Sequence, residues 1–376
     1  MNLCDVSMIT EDKKEEFKLI SKTINQDEIY LNHDSIVVKF QTKKNGIVTS
    51  WLNGGYREDL TAVFNHQLSQ ENIDKYYNGG ILKFLEKLSK DYFKQLNLNN
   101  ENLSGMVTSA DINKYSIAIE SYDKIEVVAI TTAGVRVNQV SAGDEASYYE
   151  INGEYNLYSD LNTKINPKKP GTINTIILIN AKLDESSLLL AEMIAVEAKT
   201  VALRDLMTSS NYSNNIATGT GTDGIAIFSN LDSENFIENM SKHAKIGELI
   251  GKAVIKSIKN SLAKLQWLTP TYQLNALIRL NRYQMNLEPF YNEYISVKSQ
   301  KEKEEFIISL VKISKNPELV GYVSLIIHII DQYRLGLLSK KASLNVSKSI
   351  LNTYFNRKDW YSMKLLLKYV IDNQIQ

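Results

Sequence analysis

The segment Ala217-Thr218-Gly219-Thr220-Gly221-Thr222-Asp223-Gly224 packs three glycines, three hydroxyls and one carboxylate into eight residues. Glycine lets a backbone approach a ligand closely, and exposed N–H groups with the hydroxyls of Thr218, Thr220 and Thr222 can hold a phosphate or a carbonyl. Asp223 can orient a histidine or hold a water. No Gly-Lys-Ser/Thr follows, so the segment is not a P-loop. It is not a dinucleotide fingerprint either, because the strand-like run Ile225-Ala226-Ile227-Phe228 follows it instead of a helix.

Downstream, His243 opens a stretch with helical spacing over residues 243–265. Ile246, Leu249, Ile250, Ala253 and Ser257 share one face; Lys245, Glu248, Lys252 and Lys256 share the other. Glu248 stands four residues before Lys252, the spacing of an exposed ion pair. Gly247 and Gly251 form a small-residue strip open to close approach by another backbone. His243 is expected on the inward side of the first turn, where the helix dipole favours a neutral imidazole able to act as a base. A lone histidine at such a place is as readily structural.

The stretch 185–207 also has helical spacing. Leu189, Met193, Val196, Thr200 and Met207 fall in one arc, the expected buried face. Glu197 lies in the same half of the helix, where a carboxylate needs a partner or a use. Arg204 is the structural partner to expect; a general acid/base or a substrate anchor is the functional alternative. Lys199 points the other way and reads by itself as a solvated charge.

Two more clusters carry polar groups that suit amide chemistry. Asn53 sits at a Gly54-Gly55 turn, and Asn65 with His66 follows a few residues on. Asparagine recognises amides, and an imidazole can move a proton. Thr172 and Asn174 stand in Pro170-Gly171-Thr172-Ile173-Asn174, just before the apolar run Ile176-Ile177-Leu178-Ile179. His33 and His328 match no pattern and read as structural or exposed.

The elements that must position these groups are mixed. Ser35–Phe40, Ile47–Leu52, Met106–Asp111, Ile125–Thr131, Gly171–Ala181 and Ile225–Phe228 read as strands, with Lys44-Asn45-Gly46 as a hairpin turn. Residues 81–96 have helical spacing. After Trp267-Leu268-Thr269-Pro270 the pattern is helical throughout, divided at Asn316-Pro317 and Asp359-Trp360 into about four or five helices. That segment carries 15 Lys and Arg against 9 Asp and Glu, although the whole chain is neutral at 43 of each. The expected fold class is α+β, a layered mixed sheet with long packed helices, followed by an all-α C-terminal domain. The expected divisions are a charged lead-in over 1–27 that reads as one helix, a domain over 28–266 and a helical domain over 270–376.

Composition narrows the function classes. A neutral chain offers no field to nucleic acid. Cys4 is the single cysteine and the four histidines are scattered, so neither a disulfide framework nor a tightly bound zinc is expected. The longest uncharged apolar run, Val320 to Ile330, is far short of the about 20 residues that span a bilayer. A cytoplasmic protein without membrane insertion is the expectation, and a homo-oligomer is compatible with it.

In their order, these segments resemble the adenosylcobinamide amidohydrolases, over roughly residues 28–265. The blocks are Leu52-Asn53-Gly54-Gly55 with Phe64-Asn65-His66-Gln67, Thr131-Thr132-Ala133-Gly134-Val135 with Ala142-Gly143-Asp144, the Pro170 segment, Val196-Glu197-Ala198-Lys199-Thr200, and the Gly-rich loop with His243. The resemblance implies hydrolysis of the amide joining aminopropanol to the corrin ring, giving adenosylcobyric acid, and in some members action on complete cobamides. The corrinoid cobalt then belongs to the substrate, and no cofactor is expected. His66 or His243 would serve as base and acid, with Asp223 or Glu197 orienting the imidazole. Asn53, Asn65, Thr172, Asn174, Lys199, Thr218, Thr220 and Thr222 would hold the substrate. Cleavage at Gly171-Thr172, freeing Thr172 as an N-terminal nucleophile, is a second mechanism. A non-catalytic corrinoid sensor with a helical output domain is the alternative from another function class.

Overall fold

The computed structural model describes residues 16–76, 79–157, 171–284, 286–295 and 299–376. Cys4 and Pro170 lie outside the described residues. The fold is α+β, with mixed sheets and an all-helical C-terminal region. The chain divides into two compact units: one of residues 1–134, 172–198 and 222–261, and one of residues 135–171, 199–221 and 262–376. The helical segment thus shares its unit with two stretches from earlier in the chain.

The strands, in chain order, are β1 (Lys18–Lys22), β2 (Glu28–Leu31), β3 (Ser35–Lys39), β4 (Lys44–Val48), β5 (Gly55–Arg57), β6 (Ala62–Gln67), β7 (Leu103–Thr108), β8 (Ser116–Tyr122), β9 (Ile125–Ala133), β10 (Gln139–Val140), β11 (Tyr148–Ile151), β12 (Glu154–Leu157), β13 (Ile173–Ile179), β14 (Gly219–Thr220) and β15 (Gly224–Asn230). The long helices of the first unit are α1 (Gln70–Tyr76), α2 (Ile81–Tyr92), α3 (Glu185–Asp205) and α4 (Lys245–Gln266), the last two running on into the second unit.

The first unit holds two sheets, ordered β1-β2-β3-β6-β7 and β5-β4-β15-β13-β9-β8. Ile36, Val38, Val63 and Met106 of the first meet Val128, Ile130, Ile176, Leu178 and Phe228 of the second in one buried layer. The outer face of the first sheet, through Val37, Phe64 and Leu103, is covered by Phe84, Leu85 and Leu88 of α2. The parallel pair β6 and β7 is joined by α1 and α2, and the parallel pair β13 and β15 by α3, as parallel neighbours require. The serines of α4 tie it to the other face of the second sheet. Ser257 Oγ lies 2.8 Å from Thr131 Oγ1, and Ser261 Oγ accepts from the Ala133 N–H at 2.9 Å.

Three local expectations are corrected. Lys44-Asn45-Gly46 is not a turn but the start of β4, which pairs with β15 while β3 pairs with β2 and β6 in the other sheet. Gly46 is needed because a Cβ there would stand 2.3 Å from the Phe228 ring. Residues 18–22 of the lead-in form an edge strand instead of part of a helix. The buried stripe of α3 is Ala191, Ala195, Ala198 and Ala202, with Leu188 and Ile194, whereas Leu189, Met193 and Val196 are exposed. Both stripes have helical period, and the one with small side chains permits the closer packing.

α4 has the face expected of it: Ile246, Leu249, Ile250, Ala253 and Ser257 are buried. Gly247 packs against the Ser241 carbonyl, with no room for a Cβ, while Gly251 is open. In the second unit, α5 (Ala276–Leu280), α6 (Leu287–Pro289), α7 (Gln300–Ile313), α8 (Pro317–Arg334), α9 (Lys340–Tyr354) and α10 (Tyr361–Gln374) surround a separate core that includes Phe290, Val323, Ile330, Trp360 and Leu367. Asn316 caps α8 by accepting from the Leu319 N–H at 3.0 Å, with Pro317 in the first turn. No helix among the described residues is long and apolar enough to cross a membrane.

Candidate active site

Gly224, Asn174 and Thr132 are cross-strand neighbours on β15, β13 and β9, so they form one row across the second sheet. Strand alternation turns Asn174 and Thr132 toward the first sheet, on the side of Ile176 and Ile130. Asn65 of β6 meets them there. Asn174 Nδ2 donates to Asn65 Oδ1 at 2.8 Å and to the Val107 carbonyl at 2.8 Å; Asn65 Nδ2 donates to Thr132 Oγ1 at 2.8 Å. All three side chains are almost fully buried. Asn65 pairs with Met106 on β7, and Met106 in turn packs on Gly224. A Cβ on Gly224 would stand 2.7 Å from Met106 Sδ and 2.8 Å from Asn174 Oδ1, so this glycine makes room for the amide.

At the same edge, just before β13, Thr172 Oγ1 lies 2.8 Å from Thr222 Oγ1. Asp223 Oδ1 accepts from the Ile173 N–H at 3.0 Å, which fixes the carboxylate between the starts of the two parallel strands. Thr172 is buried while Thr222 is exposed, so the hydroxyl pair runs from the interior outward. The cluster therefore supplies amide donors and acceptors, two coupled hydroxyls and a carboxylate. That is a set able to recognise an amide and to pass protons.

The other residues singled out in the sequence stand elsewhere. His66 follows Asn65 on a strand, so it points to the opposite face. There it is fully buried, edge-on to Tyr92 at 5.2 Å between ring centres. Its Nε2 accepts from Asn72 Nδ2 at 3.1 Å, which places the proton on Nδ1, 2.7 Å from Ser35 Oγ. Burial pushes its pKa down to about 4. The expectation of proton transfer by His66 thus meets a neutral, fully buried imidazole with both nitrogens engaged.

His243 is exposed in the turn before α4 and does not face inward. Glu197 is also exposed and pairs with Lys242 at 2.6 Å; Arg204 pairs with Asp205 instead. Asn53 occupies a left-handed turn position and donates to the carbonyls of Asn100 and Leu103, a structural staple. In the second unit, Lys199 is half-buried. There Thr218 Oγ1 accepts from the Ala142 N–H at 2.8 Å, and Thr220 pairs with Gln139 between β10 and β14. Thr132, Met106 and Gly224 complete the cluster without having been picked out individually. Thr132 stood inside a noted block, and strand alternation from Ile130 was the signal for its direction. Among the described residues no group of three or more His, Cys, Asp or Glu is placed to hold a metal ion.

Comparison with known proteins agrees with the order of these segments. The adenosylcobinamide amidohydrolase family matches residues 20–270. An uncharacterized protein of Methanocaldococcus jannaschii is 31% identical over 251 residues, covering 65% of this chain and 92% of its own. Among solved structures, the PH0078 protein of Pyrococcus horikoshii has a TM-score of 0.30 at 13% identity, over 66% of this chain and 83% of that one. A Burkholderia beta-aminopeptidase has a TM-score of 0.29 at 12% identity, over 65% and 82%. Likenesses that weak carry nothing further for this chain. The match over two thirds of the sequence does: the chain belongs to the adenosylcobinamide amidohydrolase family.

Proposed function

We propose that the protein hydrolyses the amide joining aminopropanol to the corrin ring of adenosylcobinamide, releasing adenosylcobyric acid. The observation that carries this reading is the convergence of Asn65, Thr132, Asn174, Thr172, Thr222 and Asp223 at one end of the inner strands of the two sheets, within the stretch that matches the family. In this reading the buried Asn65–Asn174–Thr132 chain fixes the strand ends that carry Thr172, Thr222 and Asp223. Asp223 takes a proton from the attacking water; the Thr172–Thr222 pair donates a hydrogen bond to the developing oxyanion and relays that same proton from Asp223 to the leaving amine, which leaves both hydroxyls protonated and the Asp223 carboxylate restored. The corrinoid cobalt is part of the substrate.

The full-length protein is incubated with adenosylcobinamide and the products are separated by chromatography. Adenosylcobyric acid is expected from the wild type, and Asp223→Asn is expected to lower kcat by roughly 10²–10⁴-fold, the range for loss of a general acid/base. A second reading, corrinoid binding without turnover, draws support from the placement of both candidate imidazoles away from the cluster. Tight binding of adenosylcobinamide with no product would select it.

A further inference from the structure

The second unit contains a cavity of about 260 Å³ that no step above uses. Three buried polar atoms from its lining, Gln139 Oε1, Thr208 Oγ1 and Gln273 Oε1, have no hydrogen-bond partner among the described residues. Thr208 and Gln273 are more than nine-tenths buried. The Gln273 amide is held in orientation, because its Nε2 donates to the Leu206 carbonyl at 2.8 Å, which leaves Oε1 to the cavity. Leaving such atoms unpaired is costly, and three of them at one cavity point to a missing donor.

The ends of two long helices form part of the same wall. α3 closes with Met207 in the left-handed conformation and the Thr208 N–H on the Leu203 carbonyl. α4 closes in the same way, with Trp267 left-handed and the Leu268 N–H on the Leu262 carbonyl. Both endings follow the pattern usually given to glycine. They bring two helix C-termini, each with negative partial charge, to the cavity. That field favours N–H donors. Arg136 lines the cavity, its guanidinium donating to the Gln266 carbonyl at 2.7 Å, and no acidic side chain is among the lining residues. With the Arg136 cation already at the α4 terminus and no carboxylate to balance a second charge, an ammonium is disfavoured relative to a neutral donor.

We infer that this cavity binds a primary carboxamide, whose two N–H donors engage Gln139 Oε1 and Gln273 Oε1 while Thr208 Oγ1 bonds the same group. The amide is either a free small molecule or the arm of a larger one, such as the carboxamide side chains of a corrinoid. The inference does not depend on turnover.

The test is calorimetric titration of the full-length protein and of its Thr208→Val variant with propionamide, with cobinamide, and with 1-amino-2-propanol as the cationic control. Propionamide, cobinamide or both should bind the wild type, with affinity roughly fivefold lower in the variant, the equivalent of one hydrogen bond. Thermal stability of the variant should hold or rise, since the lost hydroxyl had no partner. Sensitivity to the variant with propionamide alone assigns a free small amide; sensitivity with cobinamide assigns an amide arm. The inference is overturned if neither probe binds, if affinities are equal in variant and wild type, or if 1-amino-2-propanol binds more tightly than propionamide. Gln139→Leu gives the same comparison should Thr208→Val fail to fold. Normal hydrolysis of adenosylcobinamide with affinities unchanged by either variant would remove the cavity assignment and leave the proposed function standing.

Discussion

Asn174 Nδ2 places both of its protons, one on Asn65 Oδ1 of the facing sheet and one on the Val107 carbonyl, each at 2.8 Å. The amide is thus locked between two sheets at a point where the layer around the polar chain is apolar. A buried polar chain of this kind is stabilising only while every member is paired. Asn174→Ala leaves Asn65 Oδ1 and Val107 O without their donor, and should cost about 1–3 kcal/mol of stability. It should lower kcat by roughly 10²-fold through displacement of Thr172 and Asp223 at the adjoining strand ends. Urea unfolding and steady-state kinetics on the same variant separate the two effects; unchanged kcat would make the pair purely structural.

Gly224 is the companion of that amide. Gly224→Ala drives a Cβ against Met106 Sδ and Asn174 Oδ1. Met106 can flex, but Asn174 is held at both protons. The variant should fold, with reduced stability and turnover well below wild type. Met106→Ala placed on top of it should recover part of the stability but not the turnover, because the contact with Asn174 persists. Thermal melts and kinetics of the single and double variants decide it.

His66 should shape acid stability. Its folded pKa is about 4, against an ordinary value near 6.5 in the unfolded chain. Between those values the unfolded state holds the extra proton, so stability rises with pH. The contribution is fully present above about pH 6.5 and is lost progressively as pH falls toward 4, by roughly 3 kcal/mol over the window. His66→Gln should be less stable at pH 7, where the packing with Tyr92 and the Ser35 and Asn72 bonds are lost. The gap between the two proteins should narrow as pH drops from 6.5 to 4. Urea midpoints at several pH values give the comparison, and a gap independent of pH would show that His66 is not buried neutral.

Strand alternation explains why the sequence was only half legible at Asn65-His66. Adjacent strand residues face opposite sides, so the two could not serve one site, and the choice between them depended on which face met the second sheet. α4 was legible because its charged face and apolar face are distinct, down to the Glu248–Lys252 pair at 2.5 Å. α3 was not, because it carries two apolar stripes and the one with alanines is buried. Asn45-Gly46 has the composition of a turn, yet Gly46 serves the Phe228 ring, and Asn45 Nδ2 donates to the Leu183 carbonyl at 2.9 Å. Such long-range uses leave no local trace. Thr172 and Asn174 precede Thr222 and Asp223 by about 50 residues, and only the parallel register of β13 and β15 brings them together.

The remaining prediction concerns the ion pair of Lys44 and Asp27, 2.8 Å apart and almost fully buried. Asp27 precedes β2 in one sheet and Lys44 opens β4 in the other, so the pair joins the two layers. Burial holds the Lys44 ammonium below its ordinary pKa, with Asp27 opposing that shift. Asp27 also accepts from the Gln41 N–H at 2.9 Å and from Thr23 Oγ1 at 3.2 Å, so the carboxylate keeps polar contacts when the lysine is gone. Lys44→Met nevertheless strands a buried negative charge and should cost about 3–5 kcal/mol. Desolvation of two charges offsets most of their attraction, so the double variant Asp27→Asn with Lys44→Met should be more stable than Lys44→Met alone. Equilibrium unfolding of the three proteins at neutral pH supplies the cycle. Simple additivity of the two changes would mean that the charges act independently and that the sheets are held together by the apolar layer alone.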